Sequence, residues 1–351
     1  MRRLALVLVA LAFAFGLNEL ALRAVWTNPF ARAQPDLVLI LRWQPAGLDQ
    51  ELDRSALHLE PSRVRFRIDA SGYIEPSRQF DAPEFTLVFQ GGSTTECMVV
   101  QEDLRWPNRV SAELSGLGFR VNARNAGKAG NTAHDALVNL VQLVAPERPD
   151  VVLLMNAVND AGLLSDRGYE LRAPQPDGWR AGLRWLGETA SRHSSLAGFI
   201  RRATASGAPE LRPDPAAQAR GPDVEPYAAR VRAWLRSARA FGAEPVLITE
   251  PLSSLRNELT PPWTDAAALA AFNQKLREIG REESAVVIDL AQLVAAEPEF
   301  AKPESIYYDG LHVNDAGARI YGRLVAQALA RDVLPRLRAA RAAQPPPQIA
   351  R

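Results

Sequence analysis

From about residue 84 to residue 335 the chain alternates short apolar runs with stretches of helical periodicity, and this alternation constrains the fold more than any other feature. Strands are expected over 85–90, 119–124, 150–156, 245–249 and 285–289. The first carries the β-branched and aromatic run Phe85-Thr86-Leu87-Val88-Phe89, and the third, "DVVLLMN", is almost wholly apolar. Strands of that kind fit a sheet covered on both faces. Helices are expected over 106–117, 133–144, 226–241, 264–281 and 315–334; in the second, Leu137, Leu140, Val141 and Val144 share one face. Strands alternating with helices over this length predict a three-layer α/β/α domain built on a doubly wound parallel sheet. Upstream, "FRIDASGYI" predicts a hairpin turning at Ser71-Gly72.

Two regions break the rhythm. Residues 161–225 hold one or two amphipathic helices (Trp179, Leu183, Leu186 and Ala190 share a face) and a loop rich in Pro, Ala, Arg and Asp near 205–224. Such an insertion is either poorly ordered or a lid over a site. At the amino terminus Arg2-Arg3 precede an apolar run from Leu4 to Leu17, the pattern of a secretory signal or signal anchor. That run is shorter than the ~20 residues a bilayer demands, and extending it to Leu22 would bury Glu19. Ala31-Arg32-Ala33 lies too far downstream to serve as a cleavage site, so an uncleaved anchor is favoured. The expected organisation is an anchor and linker over 1–35, a domain over 36–338 with its insertion, and a disordered tail over 339–351. The expected location is the inner membrane, with the domain in the periplasm or outside the cell.

Composition mostly excludes. The net charge of +1 gives no nucleic-acid footprint. Cys97 is the only cysteine, which rules out an intramolecular disulfide and a cysteine-built zinc site. It sits in an apolar run and reads as a buried structural thiol. Neither a metal-binding cluster nor a cofactor motif is apparent, so none is expected.

The first strand ends abruptly in Gly91-Gly92-Ser93-Thr94-Thr95-Glu96. A hydroxyl residue followed by Glu is a common helix cap. Taken alone the stretch favours the cap; the other reading is a nucleophilic serine at the carboxyl end of a parallel strand, where such sheets open their ligand crevice. The other strand ends decide between the two. After the second strand comes a glycine-rich turn ending at Gly130, and after the third "Asn156-Ala157-Val158-Asn159-Asp160". Before the last helix comes "YYDGLHVNDAG", with Asp309 and His312 three apart. Each alone reads as a turn, a loop or a surface acid. Together they supply the hydroxyl, imidazole and carboxylate that acyl transfer to a serine requires.

These four segments resemble the sequence blocks of the SGNH (GDSL-like) hydrolase superfamily, over residues 85 to 335 apart from the insertion. The block serine matches Ser93, the block-two glycine Gly130, the block-three asparagine Asn159, and the Asp-x-x-His pair Asp309 and His312. The resemblance implies a flavodoxin-like sheet and a serine esterase of the membrane-anchored bacterial type. In it Ser93 is the nucleophile, His312 the general base and Asp309 its orienting acid. The backbone N–H of Ser93, the N–H of Gly130 and the side-chain amide of Asn159 form the oxyanion hole, with Ser93 at a helix amino terminus whose dipole favours negative charge. Two departures stand out: Gly92 replaces the aspartate of Gly-Asp-Ser, and Ala157 replaces the glycine of Gly-x-Asn-Asp. The first touches no catalytic group; the second bears on substrate fit. The implied substrate is an acylated small molecule or glycan, with deacetylation of an O-acetyl polysaccharide favoured. Acyl transfer to a polysaccharide, hydrolysis of lipid or simple esters, and a non-catalytic glycan-binding or assembly role are the alternatives.

Overall fold

The structure is a computed structural model that describes residues 2–26, 42–166, 186–187, 189–191, 193–204, 223–261 and 264–343. The chain divides into two compact units, residues 1–40 with 170–214, and residues 41–169 with 215–351.

The larger unit is the expected α/β domain. Its sheet contains β3 (Phe85–Gly91), β4 (Val121–Gly127), β5 (Val151–Met155), β6 (Glu244–Ile248) and β7 (Val286–Ile288), all parallel, in the order β4-β3-β5-β6-β7. The order reverses at β3, so the crevice of a doubly wound sheet opens beside its carboxyl end. Alternate side chains face opposite ways along each strand. Phe85, Leu87, Phe89, Leu153 and Ile248 therefore pack beneath α3 (Trp106–Gly116), α9 (Leu290–Ala295) and α10 (Asp315–Asp332). Val88, Val152, Leu154 and Leu247 meet α4 (Ala133–Asn139), α5 (Val158–Asp166), α7 (Glu225–Ala240) and α8 (Ala266–Glu282) on the other face. The apolar character of the third strand follows from this, since all of β5 is buried.

Two local features depart from expectation. The helix expected to run to residue 144 is α-helical only to Asn139 and continues as a π-helix over Leu140–Val144. At the other end the chain stays helical through α11 (Leu334–Ala342), so residues 339–342 are not part of a disordered tail. Arg338 of α11 grips Glu84 and Arg341 grips Asp150, which ties this helix to the sheet's amino edge. Residues 344–351 lie outside the described residues.

A two-stranded antiparallel ribbon, β1 (Asp49–Asp53) with β2 (Arg63–Arg67), precedes the sheet. Past it the chain turns as expected, Ile68 bridging Ile74 around Gly72 at φ +87°. The ribbon delivers Arg54, fully buried, whose guanidinium uses all its donors. It donates to the carbonyls of Val99 (2.8 Å), Pro61 (2.6 Å) and Glu60 (2.7 Å) and, bidentately, to Asp315 at the start of α10 (3.1 and 2.8 Å). Burial works to raise the Asp315 carboxyl, but Arg54 and Gln101 outweigh it and hold it below the usual carboxylate range. Replacing Arg54 by Met strands this acid and should lower stability by about 3–5 kcal/mol in urea unfolding. The folded-state value is depressed, so the wild-type contribution is full above 3.8 and fades as pH falls through the lower folded value. The Arg54→Met chain should lack that acid limb.

The smaller unit contains α1 (Arg2–Val25) and α6 (Ser195–Thr204). The described middle of the insertion, within residues 186–204, thus groups with the amino-terminal helix. Glu19 caps α6: its carboxylate accepts the N–H groups of Ser195 (2.8 Å) and Leu196 (2.9 Å) and the Ser194 hydroxyl (2.7 Å), and it pairs with Arg23. Trp26 meets Phe199 edge-on. Among the described residues no helix is long and apolar enough to cross a membrane, so the expected transmembrane span is not supported. The physical reason is local. Asn18, Glu19 and Arg23 fall where the apolar run would need to continue, and Glu19 is committed to polar partners. Trp179, Leu183, the loop at 205–222 and Ala31-Arg32-Ala33 lie outside the described residues.

Candidate active site

β3 delivers Ser93 to the crevice through Gly91 and Gly92. The chain then makes a single helical turn, α2 (Ser93–Glu96), stopped by Cys97 in a left-handed conformation at φ +50°. The longer helix that would lend Ser93 a macrodipole is absent at this point. Of the turn's N–H groups, those of Thr95 and Glu96 donate to the Gly92 carbonyl, and only those of Ser93 and Thr94 are left without an acceptor inside the turn. The capping role is unrealised too, because the cap residue is Gly92 and makes no side-chain bond.

Ser93 and His312 are 219 positions apart, and the fold brings Ser93 Oγ to 2.8 Å from His312 Nε2. His312 Nδ1 lies 2.8 Å from Asp309 Oδ2. Asp309 Oδ1 accepts the backbone N–H groups of Leu311 (2.7 Å) and His312 (2.6 Å), fixing the carboxylate from its other side. A bridge between Tyr307 and Val313 closes this short loop, and the Tyr308 ring stacks on the His312 ring at 5.6 Å and 8°. A carboxylate can only accept, so Nδ1 carries the proton and Nε2 presents its lone pair to the serine hydroxyl. That arrangement can withdraw a proton from Ser93 and return it to a leaving group.

The remaining predicted residues lie beside the same turn. Gly130 has φ +75°, and a Cβ there would meet Arg42 Nη2 at 2.7 Å. Asn159 donates one amide hydrogen to the Asn131 carbonyl at 2.8 Å, which leaves its second hydrogen available. A Cβ on Gly92 would sit 2.4 Å from Asn159 Nδ2. Gly92 is therefore more than a tolerated departure: the asparagine amide approaches so closely that only glycine fits without displacing it. A cavity of about 210 Å³ opens at Ser93 and His312, walled by Glu96, Met98, Val100 and Tyr308 among others. Cys97 is buried, and burial pushes its thiol up to about 12, so it stays protonated and inert as a nucleophile. Among the described residues no group of His, Cys, Asp and Glu could hold a metal ion.

Two buried acids are not apparent from sequence alone. Glu250 lies just past β6 and accepts the Thr94 hydroxyl (2.6 Å) and the N–H groups of Ala157 (2.9 Å) and Val158 (2.8 Å). Glu96 accepts from Gln44 Nε2 (2.6 Å) and from the N–H of Ala129 (3.1 Å). Position is the one available signal, since Glu250 also follows a strand end.

A doubly wound parallel domain with a serine, histidine and aspartate linked in series at its carboxyl edge defines a serine hydrolase. The chain belongs to the GDSL-like lipase/acylhydrolase family, whose model matches residues 89–320, and it is an ester hydrolase of that class. No curated protein matches it. Among solved structures it is similar to a lipase/acylhydrolase from Enterococcus faecalis, at 18% identity and TM-score 0.45, covering 70% of this chain and 95% of that one. It is also similar to Axe2, an acetylxylan esterase from Geobacillus stearothermophilus, at 16% identity and TM-score 0.44, covering 71% and 95%. Likenesses this distant say nothing about substrate.

Proposed function

We propose that this chain removes short acyl groups, acetyl foremost, from a cell-surface or exported polysaccharide through an acyl-enzyme on Ser93. The observation that carries the reading is the continuous Ser93–His312–Asp309 hydrogen-bond series at 2.8 Å per link. His312 serves as base and then acid, and Asp309 holds its tautomer. The N–H groups of Ser93 and Gly130 and the free amide hydrogen of Asn159 receive the oxyanion. Substrate size is argued from the cavity. A volume of about 210 Å³ beside Ser93 and His312 suits an acetyl or similar short acyl group. In the test, the protein is given p-nitrophenyl acetate, p-nitrophenyl palmitate and an O-acetylated polysaccharide. Acetate release from the polysaccharide, with acetate ester strongly preferred over palmitate, is expected; preference for palmitate would sink the short-acyl reading. Acetyl appearing on an added sugar instead of in solution would assign acyl transfer.

The same reading makes the tight fit at Gly92 functional. Gly92→Ala should push the Asn159 amide aside and lower kcat on the order of 10-fold, less than the 10²–10³ typical of outright loss of an oxyanion donor. Equal kcat in the two proteins would remove Asn159 from the hole.

Location belongs to the proposal as well. The arginine-flanked run Leu4–Leu17 supports export, and Phe13, Phe15, Leu17 and Leu20 are exposed apolar side chains suited to attachment at the inner membrane, with the hydrolase domain on the periplasmic side. Fractionation of cells should place the full chain with the membrane and a chain starting near residue 35 in the soluble fraction with esterase activity. Recovery of the full chain in the cytosol alone would contradict this.

A further inference from the structure

Burying a carboxyl is unfavourable unless donors surround it, so Glu96 and Glu250, two buried acids flanking the nucleophile turn, call for a reason. Burial raises both carboxyls above the usual range, with their hydrogen-bond donors working against it. What those donors belong to is informative. Thr94 directly follows Ser93, and Ala157 and Val158 directly precede Asn159; Glu250 binds all three with its two oxygens. The backbone of Glu250 is in turn clamped by Asn273 of α8, which accepts its N–H (2.9 Å) and donates to its carbonyl (2.8 Å). On the other side Glu96 belongs to the nucleophile turn itself and binds the N–H of Ala129, the residue before Gly130. Gln44 steadies that carboxylate and also donates to the Gly127 carbonyl (3.0 Å).

We propose that Glu250 and Glu96 are positioning residues of the oxyanion hole, Glu250 fixing Asn159 and Glu96 fixing the Gly130 N–H at a set distance from the Ser93 turn. The proposal rests on the esterase reading above. Each carboxylate joins turns that lie beyond paired strand ends: Glu250 links the turns after β3 and β5, and Glu96 links the turns after β3 and β4. An acceptor-only group suits both places, because every contact it makes there is a donor.

Steady-state kinetics on p-nitrophenyl acetate test it, with Ser93→Ala as control and circular dichroism to verify folding. Glu250→Ala should lower kcat on the order of 10²-fold, as for a misplaced donor, while leaving KM nearly unchanged. Glu250→Gln should recover most of the loss. Its carbonyl oxygen still accepts from Ala157 and Val158, and its NH2 meets a Thr94 hydroxyl that can reverse and accept. Glu96→Ala should lower kcat in the same way. Should Glu250→Ala fail to fold, Thr94→Val removes the nucleophile-side contact and should lower kcat about 10-fold at constant KM. Unchanged kcat in Glu250→Ala or Thr94→Val overturns the proposal. So does a kcat loss equal in the Ala and Gln variants and matched by a fall in Tm, the mark of a purely structural acid. If Ser93→Ala retains activity, the esterase assignment itself fails; if it is dead while Glu250→Ala is fully active, only the positioning role fails.

Discussion

Ser93→Ala should remove hydrolysis of p-nitrophenyl acetate almost entirely, a loss on the order of 10⁴- to 10⁶-fold in kcat, while the fold survives. Only the hydroxyl is deleted, and its hydrogen-bond partner is His312 Nε2 at 2.8 Å. The turn around it is held by other atoms: Gly92 O accepts from Thr95 and Glu96, and Thr94 is tied to Glu250. Binding should persist, so KM should change little. Labelling of the wild type by a fluorophosphonate, lost in Ser93→Ala, gives the same answer without a substrate. Turnover retained in the variant would remove Ser93 from the mechanism.

Asp309→Asn should cost nearly as much, on the order of 10⁴-fold, and the hydrogen bonds say why. Oδ1 accepts two backbone N–H groups and Oδ2 accepts from His312 Nδ1. An asparagine must place its NH2 on one side or the other. Facing the two N–H groups it would oppose donor to donor twice, so it turns toward the imidazole. There it donates to Nδ1, which forces the proton onto Nε2, the nitrogen that must accept from Ser93. The base is then present but in the wrong tautomer. The variant should fold normally and label poorly with fluorophosphonate. Activity within about tenfold of wild type would mean that another group orients the imidazole.

Much of the sheet was legible because β3, β5 and β6 carry apolar runs that are largely buried on both faces. β5 is the clearest case. The site was legible for a related reason: Ser93, Gly130, Asn159 and the Asp309–His312 loop all follow strands or precede a helix, and sequence order reports such positions. What escaped were contacts between distant segments. β1 reads Asp-Gln-Glu-Leu-Asp, with no apolar alternation, and pairs with β2 partly through ion pairs such as Arg65–Asp49. Arg54 and Asp315 are 261 positions apart, and nothing near either announces the other. Glu19 looked like an obstacle to a membrane span; its role as a cap depends on a helix 176 residues downstream. Glu250 drew no reading and Glu96 read only as the acid of a helix cap, because burial is a property of the fold, not of the residue.

The pairing of Ser93 with a histidine 219 positions later also sets an order of events during synthesis. The ribosome delivers Ser93, the glycine turn and Asn159 long before it delivers Asp309 and His312. The strand that carries Ser93 lies between β4 and β5, which both precede the insertion. A nascent chain can therefore assemble those three strands while the serine still lacks its base. On the proposed mechanism, any polypeptide terminated before residue 309 lacks the base for Ser93, and hydrolysis is expected only once the closing segment docks. Arg54 is waiting at that point for Asp315, and in meeting it secures the start of α10, three residues beyond His312.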